Sequence, residues 1–352
     1  MKFLYVLTQR DFFSCGPRGR VTHACGIVEG LTANYQNVTL ITDPNSFKYL
    51  PEQNNLISSK RRLWLVYIFL VLISNLQNYD RCIIRWRPVL PFFALFMSRG
   101  NRKRKIIYEI NDFSGVYSNS IFIRALFYIS LYLAARWSRI YVVSRSAKKA
   151  LNELFPAANV CVVENGISEN FISNNRNLVV NYQTEAAFSV IYFGGYRNYY
   201  DWEIIKYLNE NSGSPYDYTV NLYGFSDKLP GSSLQGNGRY SNTRLMDDIF
   251  SKHQKPILIL PGNNNVKASM GFPTKLYEYL YIGCPVLCSN IYRELVSQSV
   301  DNWYFYNADD LSSATQQFTQ LCYDYESKEK SQITNRILAI KNTWRFKVRA
   351  IL

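Results

Sequence analysis

GFPTKLYEYLYIGCPVLCS (residues 271–289) opens a helical stretch on Pro-Thr-Lys, carries a lone Glu278, stops at Gly283 and runs into a short apolar segment. Pro273 suits the first turn of a helix, where its missing N–H costs nothing. Gly283 suits a left-handed cap, and Pro285 prevents the helix from continuing. PVLCS (285–289) then reads as a buried strand, as does PILIL (256–260), with PGNNN (261–265) as the loop leaving the latter's C-terminal end. Strand, loop, helix, strand is the unit of an open parallel sheet. Ligands of such sheets sit outside the carboxyl ends of the strands, at the loop and the next helix N-terminus. Thr274, Lys275 and Glu278 are therefore candidate ligand groups. On spacing alone, Lys275 and Glu278 read equally as a solvated i,i+3 pair worth about 0.2–0.5 kcal/mol.

Working outward, the first half alternates strands and helices. KFLYVLT (2–8), NVTLIT (37–42), RCIIRW (81–86), KIIYEIND (105–112), RIYVVS (139–144) and VCVVENG (160–166) read as strands, with helices at 24–34, 121–136 and 146–154. A polar, Asn-rich stretch at 171–187 suits a linker. A second set follows: FSVIYFGG (188–195), a helix near 201–211, TVNLYGF (219–225), a helix near 242–252, PILIL, the 273–283 helix and PVLCS. Short apolar strands alternating with helices predict doubly wound parallel sheets. The expected division is a Rossmann-like domain at 1–170, the linker, a second such domain at 188–325, and a helical segment at 326–352 returning toward the first domain. Chemistry is expected in a cleft between the two domains.

Length and composition agree with two domains. The chain has 352 residues, of which 47% are hydrophobic, enough for two cores. Seven scattered Cys without a C-x-x-C, together with two His, argue against a structural zinc site and suit a reducing compartment. The apolar N-terminal run is short for a signal peptide, and the longest apolar run, LWLVYIFLVLI (63–73), is half the length a spanning helix needs. The expected location is therefore cytoplasmic. Charge is uneven: residues 1–170 carry 22 Lys+Arg against 10 Asp+Glu, whereas 171–352 carry 18 against 16. The basic excess sits beside SKRRLWLVYIFL (59–70), PFFALFMSRGNRKRK (91–105) and SIFIRALFYISLYLAARW (120–137), a composition suited to lying on anionic lipid. Buried helices with solvated basic loops give the same composition. Nucleic acid is the competing polyanion, but no nucleic-acid fold motif accompanies the charge.

P-T-K-L-Y-E-Y-L-x-x-G-x-P-V resembles the signature of the large retaining, nucleotide-sugar-dependent glycosyltransferase family known as group 1 or family 4, of GT-B architecture. Other segments resemble that family in the same order: GRVTHACGIVEGL (19–31), YEINDF (108–113), YVVSRSAKKAL (141–151), VVENGIS (162–168), VIYFGGYRNYYDWEIIKYL (190–208) and LYGF (222–225). The resemblance spans about residues 1–300. It implies transfer of a hexosyl or deoxyhexosyl group, with retention, from a nucleotide diphosphate sugar to a glycan acceptor, here expected to be a lipid-linked bacterial surface glycan. It implies no metal and no cofactor beyond that co-substrate. The expected partners are the donor, a glycan or polyprenyl-diphosphate-linked acceptor and an anionic membrane, with peripheral placement on the inner face of the cell membrane and no nucleic acid. The alternative from another class is a catalytically silent GT-B scaffold in a polysaccharide assembly complex.

The resemblance assigns roles. Glu278 would accept hydrogen bonds from the donor ribose hydroxyls, Lys275 and Arg197 would neutralise the diphosphate, and Gly194 and Gly195 would let the backbone approach the donor. Gly19, near Gly16 in the first loop, would border the donor phosphates. His23, Glu109 and Asp112 are the candidate catalytic residues of the first domain, with Asn111 where many relatives carry His. A satisfied buried His, an ordinary turn at Gly194-Gly195 and a surface Arg197 are the plain readings of the same residues. One departure stands out: Met270 occupies the place of the second carboxylate that family members carry eight residues before the ribose-binding Glu, which leaves Asn263–Asn265 or backbone amides to serve the sugar.

Overall fold

The computed structural model describes residues 1–8, 19–42, 55–58, 64–96, 105–111, 113, 115–116, 118–178, 180, 182, 186–197, 200–212, 216–238, 244–245, 249–265, 270–296 and 300–351. The chain divides into two units, Met1–Gly166 with Trp344–Leu352, and Ile167–Thr343.

The first unit runs β1 (Lys2–Val6), α1 (Gly19–Asn34), β2 (Asn37–Thr42), β3 (Asn55–Ser58), α2 (Trp64–Asn75), β4 (Arg81–Arg85), α3 (Leu90–Phe93), β5 (Ile106–Ile110), α4 (Ile121–Trp137), β6 (Arg139–Val142), α5 (Arg145–Leu154) and β7 (Asn159–Val162). Its strands form one parallel sheet in the order β3-β2-β1-β4-β5-β6-β7. The second unit runs α6 (Glu169–Asn174), β8 (Phe188–Phe193), α7 (Trp202–Glu210), β9 (Tyr218–Tyr223), β10 (Pro256–Leu260), α8 (Lys275–Ile282), β11 (Val286–Ser289), β12 (Trp303–Tyr306), α9 (Leu311–Asp324) and α10 (Ser331–Ile340). Its parallel sheet has the order β12-β11-β10-β8-β9. Strands such as IIYEI, FSVIYF and PILIL are buried at every position, as expected where helices cover both faces.

In each sheet the strand order reverses once, between β1 and β4 in the first and between β8 and β10 in the second. Adjacent loops diverge at such a point and leave a crevice at the carboxyl ends.

Several expectations change. β3, β12 and α9 are absent from the sequence reading. β3 and β12 are edge strands of four residues, and their pairing rests on the backbone of β2 and β11 rather than on a side-chain pattern. The expected linker begins inside α6, which Ser168 caps by accepting from the Asn170 N–H at 3.2 Å. Most of the expected helix near 242–252 lies outside the described residues, and its described end, 250–252, is a tight 3-10 turn. The segment 326–352 divides: α10 packs on α8 in the second unit, whereas α11 (Trp344–Lys347) and the turn after it pack on α1 in the first.

That last contact closes the core of the first unit. Trp344 is buried with Tyr5, Ile27 and Leu31, and the helices approach so closely that a Cβ at Gly26 would lie 2.0 Å from the Trp344 ring. At Gly30 it would lie 2.5 Å from the Trp344 carbonyl. Asn34 Nδ2 donates to the Arg345 carbonyl at 2.7 Å, and Lys347 pairs with Glu164 at 2.6 Å. Overpacking such a seam forces backbone displacement. Gly26→Val is therefore expected to lower the stability of the first unit by about 1–3 kcal/mol in urea denaturation; a change within experimental error would show that the seam is loose.

Candidate functional site

The reversal between β8 and β10 sets the site in the second unit. β8 runs into Gly194 and Gly195, and α8 follows the loop after β10. Gly194 has φ +148°, and a Cβ there would meet Lys275 Nζ at 2.1 Å, so both backbone and space demand glycine. The space it leaves is filled by the lysine side chain. Gly195 is exposed, and a Cβ on it would meet nothing within 4 Å.

Lys275, the first residue of α8, is buried. Its Nζ lies 4.0 Å from the Tyr192 ring centroid and 5.1 Å from that of Tyr200, yet has no hydrogen-bond acceptor among the described residues. Burial pushes this ammonium down to about 7, with Glu278 opposing the shift and Arg197 adding to it. Glu278, one turn along, is buried as well, and burial pushes its carboxyl up to about 7 against the pull of Lys275. The two form none of the ion pairs within 4 Å among the described residues. The solvated i,i+3 pair is therefore excluded: these are two desolvated charges, neither neutralised by the other.

Arg197 is half-buried on the loop after Gly195. Its Nη1 donates to the Tyr196 carbonyl at 3.2 Å, and its own carbonyl accepts from Trp202 Nε1 at 2.5 Å. Its guanidinium is near enough to depress Lys275. Two cations thus border the N-terminus of α8, where Thr274 makes no side-chain cap and the helix dipole adds positive potential. Pro273 lies outside the helix, and its carbonyl accepts from the Leu276 N–H at 3.1 Å.

The far end of α8 is clamped. Gly283 closes it at φ +81°. The Gly283 carbonyl accepts from Tyr182 Oη at 2.6 Å and Asn302 Nδ2 at 3.0 Å, and Tyr279 Oη donates to Ile259 of β10 at 3.1 Å. All eight residues of α8 are buried. The loop after β10 is tied down too: the Asn264 N–H donates to Asp309 Oδ2 at 3.1 Å, and the Asn265 N–H to Asn263 Oδ1 at the same distance. The Asn263 side chain is thus engaged in holding its own loop, and Asn264 Nδ2 reaches the Ala308 carbonyl at 3.3 Å. Met270 is half-buried.

A second polar cluster occupies the carboxyl ends of the central strands in the first unit. Glu109 on β5 is fully buried. Its Oε2 accepts from Tyr5 Oη at 2.7 Å, and its Oε1 from Arg85 Nη1 at 2.7 Å and Asn111 Nδ2 at 2.5 Å. His23 on α1 places Nε2 3.1 Å from the same Oε1 and Nδ1 2.5 Å from Asn165 Oδ1. Burial raises the Glu109 carboxyl, but Arg85, His23 and Tyr5 together hold it down to about 2. Glu109 is a fixed anion that orients its neighbours. Gly19 is exposed at the start of α1. Asp112 and Gly16 lie outside the described residues. The sequence does not single out Arg85, Tyr5 or Tyr141, whose Oη lies 3.5 Å from His23 Nε2; the one signal was an Arg at the carboxyl end of RCIIR, placed opposite Glu109 only by the parallel register.

The site residues thus fall into two groups, one per unit: His23 and Glu109 meet directly, and Gly194, Arg197, Lys275 and Glu278 gather around the N-terminus of α8.

No family model matches this chain, and no curated protein matches it. Solved structures do. An α-glucosyltransferase in complex with UDP-glucose and DNA containing an abasic site is 10% identical, with a TM-score of 0.55 over 97% of this chain and 94% of that one. A UDP-GlcNAc 2-epimerase from Neisseria meningitidis bound to UDP-GlcNAc is 12% identical, with a TM-score of 0.51 over 100% and 99%. At these identities the likeness concerns the fold, two Rossmann-like parallel-sheet units of the GT-B class.

The buried pair makes stability depend on pH. Between about 4.5 and about 7 the folded state binds the extra proton, on Glu278, so stability falls as pH rises. Between about 7 and 10.5 the unfolded chain binds the extra proton, on Lys275, so stability rises again. Glu278→Gln removes the first slope and should stabilise the ligand-free protein by roughly 1–3 kcal/mol at pH 8, with no gain near pH 4. Thermal melts at the two pH values check this; a variant less stable than the parent at pH 8 would contradict it.

Proposed function

We propose that this protein is a retaining glycosyltransferase that moves a hexosyl or deoxyhexosyl group from a nucleotide diphosphate sugar to a lipid-linked glycan acceptor at the inner face of a bacterial membrane. One observation carries the reading: a buried ammonium with no acceptor among the described residues at the N-terminus of α8, at the carboxyl ends of the second sheet, with a buried carboxylate one turn away. A diphosphate would supply the missing negative charge, and ribose hydroxyls would donate to Glu278, whose two oxygens suit that bidentate contact. The solved structures of this fold reported above hold UDP-sugars, which favours a nucleotide sugar over other phosphates.

In the proposed reaction the bond between the sugar's anomeric carbon and the diphosphate breaks with its electron pair on the phosphate oxygen. Lys275, Arg197 and the α8 N-terminus stabilise that charge, the work a metal ion does at other phosphoryl sites. The acceptor hydroxyl adds from the same face, and its proton passes to the departing phosphate. Glu109 acts at a distance, as a positioning residue for His23 and Asn111 on the acceptor side.

Calorimetry against UDP, GDP and dTDP tests the donor site, followed by product analysis with a panel of nucleotide sugars. Glu278→Ala should weaken nucleotide binding by about 1–3 kcal/mol, roughly 5- to 150-fold. Binding of none of the three nucleotides would favour the silent scaffold. Conversion of UDP-GlcNAc to an epimer without an acceptor would replace transfer by the epimerase chemistry of a structural neighbour.

A further inference from the structure

We infer that one face of the first unit, built by α2, the turn at 94–96, α4 and α5, docks on an anionic lipid bilayer. The inference deepens the reading of a lipid-linked acceptor. Crossovers in parallel sheets are right-handed. The steps β3 to β4, β5 to β6 and β6 to β7 advance one way across the sheet and β1 to β2 the other. So α2, α4 and α5 cover the face opposite α1, and α2 and α4 leave their outer stripes bare.

On α2, Val66, Leu70 and Ile73 share one exposed stripe, and the helix carries no charge. On α4, Phe122, Ile129 and Tyr132 form another, and Phe122 is 76% exposed, as is Phe96. The stripes are joined. The Phe69 and Phe96 rings lie 6.1 Å apart, α3 packs on α4, and Tyr132 reaches the Phe155 ring at the end of α5 at 6.3 Å. An exposed apolar surface of this extent marks an interaction site.

Charge identifies the occupant. On α5, the helix that Phe155 follows, Arg145, Lys148 and Lys149 line an open groove of about 440 Å³ together with Asn152 and the single acid Glu153. Residues 81–153 hold 14 Lys+Arg and 3 Asp+Glu, and setting aside the internal Arg85–Glu109 pair leaves 13 against 2. Bare aromatic and aliphatic stripes bordered by Lys and Arg fit the headgroup and acyl boundary of anionic lipid. Among the described residues no helix is long and apolar enough to cross a membrane, so contact would be made by this face lying on the bilayer.

Vesicle sedimentation tests the inference, with phosphatidylcholine vesicles with or without phosphatidylglycerol. The wild type should bind the mixed vesicles more tightly by about tenfold or more. Arg145→Ser/Lys148→Ser/Lys149→Ser should lose that preference at low salt, with the difference closing as salt rises. Phe122→Ser/Ile129→Ser should weaken binding at every salt concentration. UDP affinity, measured on the same preparations, should stay unchanged in both variants, which separates failure of docking from failure of the donor site. The inference is overturned if the wild type ignores the vesicles or if both variants bind like it. A wild-type dimer that Phe122→Ser/Ile129→Ser dissociates would assign the face to a second copy. Salt-sensitive duplex DNA binding without vesicle binding would assign its charge to nucleic acid.

Discussion

The ammonium of Lys275, buried against Tyr192 and Tyr200 with no acceptor among the described residues, is the constraint on which the account of the second unit rests. Burying a charge costs several kcal/mol unless it is paired or loses its proton. Here neither neighbour neutralises it. Glu278 is close enough to feel it but is itself desolvated, and Arg197 repels it. Burial relieves part of that cost by lowering the ammonium to about 7, and close packing holds the group in place. Gly194 vacates the volume, Gly283 ends the helix in the left-handed region, and Tyr182 and Asn302 satisfy the carbonyls that follow. That cost exceeds what a surface ion pair contributes.

The polar cluster of the first unit is the opposite case. Glu109 sits at an equivalent place, at the carboxyl end of a central strand, yet each of its oxygens has a partner, and Arg85 holds its charge. A satisfied network gives orientation without reactivity. One carboxyl-end site therefore holds a desolvated ammonium with no acceptor among the described residues, whereas the other is fully paired.

Much of the architecture was legible because buried parallel strands are written as near-continuous apolar runs, and KFLYV, IIYEI, FSVIYF and PILIL have strand length and β-branched and aromatic content. The edge strands NLIS and WYFY were not, since an edge is fixed by the backbone of its neighbour. The helix 275–282 was legible from its Pro and Gly punctuation. Its burial was not, because KLYEYLYI has the same spacing whether Lys275 and Glu278 face water or protein. The sequence marks Gly194 as a place of close backbone approach, and the structure adds that its missing side chain leaves room for Lys275. Arg85 was hidden because pairing across β4 and β5 is a matter of register, which one strand alone does not carry.

Calorimetry of UDP binding at pH 8, in two buffers of different ionisation enthalpy, tests the central claim most directly. At that pH Lys275 is mostly neutral and Glu278 mostly ionised in the free protein, and the nucleotide's phosphates are already ionised. A diphosphate beside Lys275 favours its protonated form, so binding should take up protons from the buffer. The same experiment on Lys275→Met should show weaker binding and no uptake. UDP binding with no proton exchange, or with release, would contradict the account.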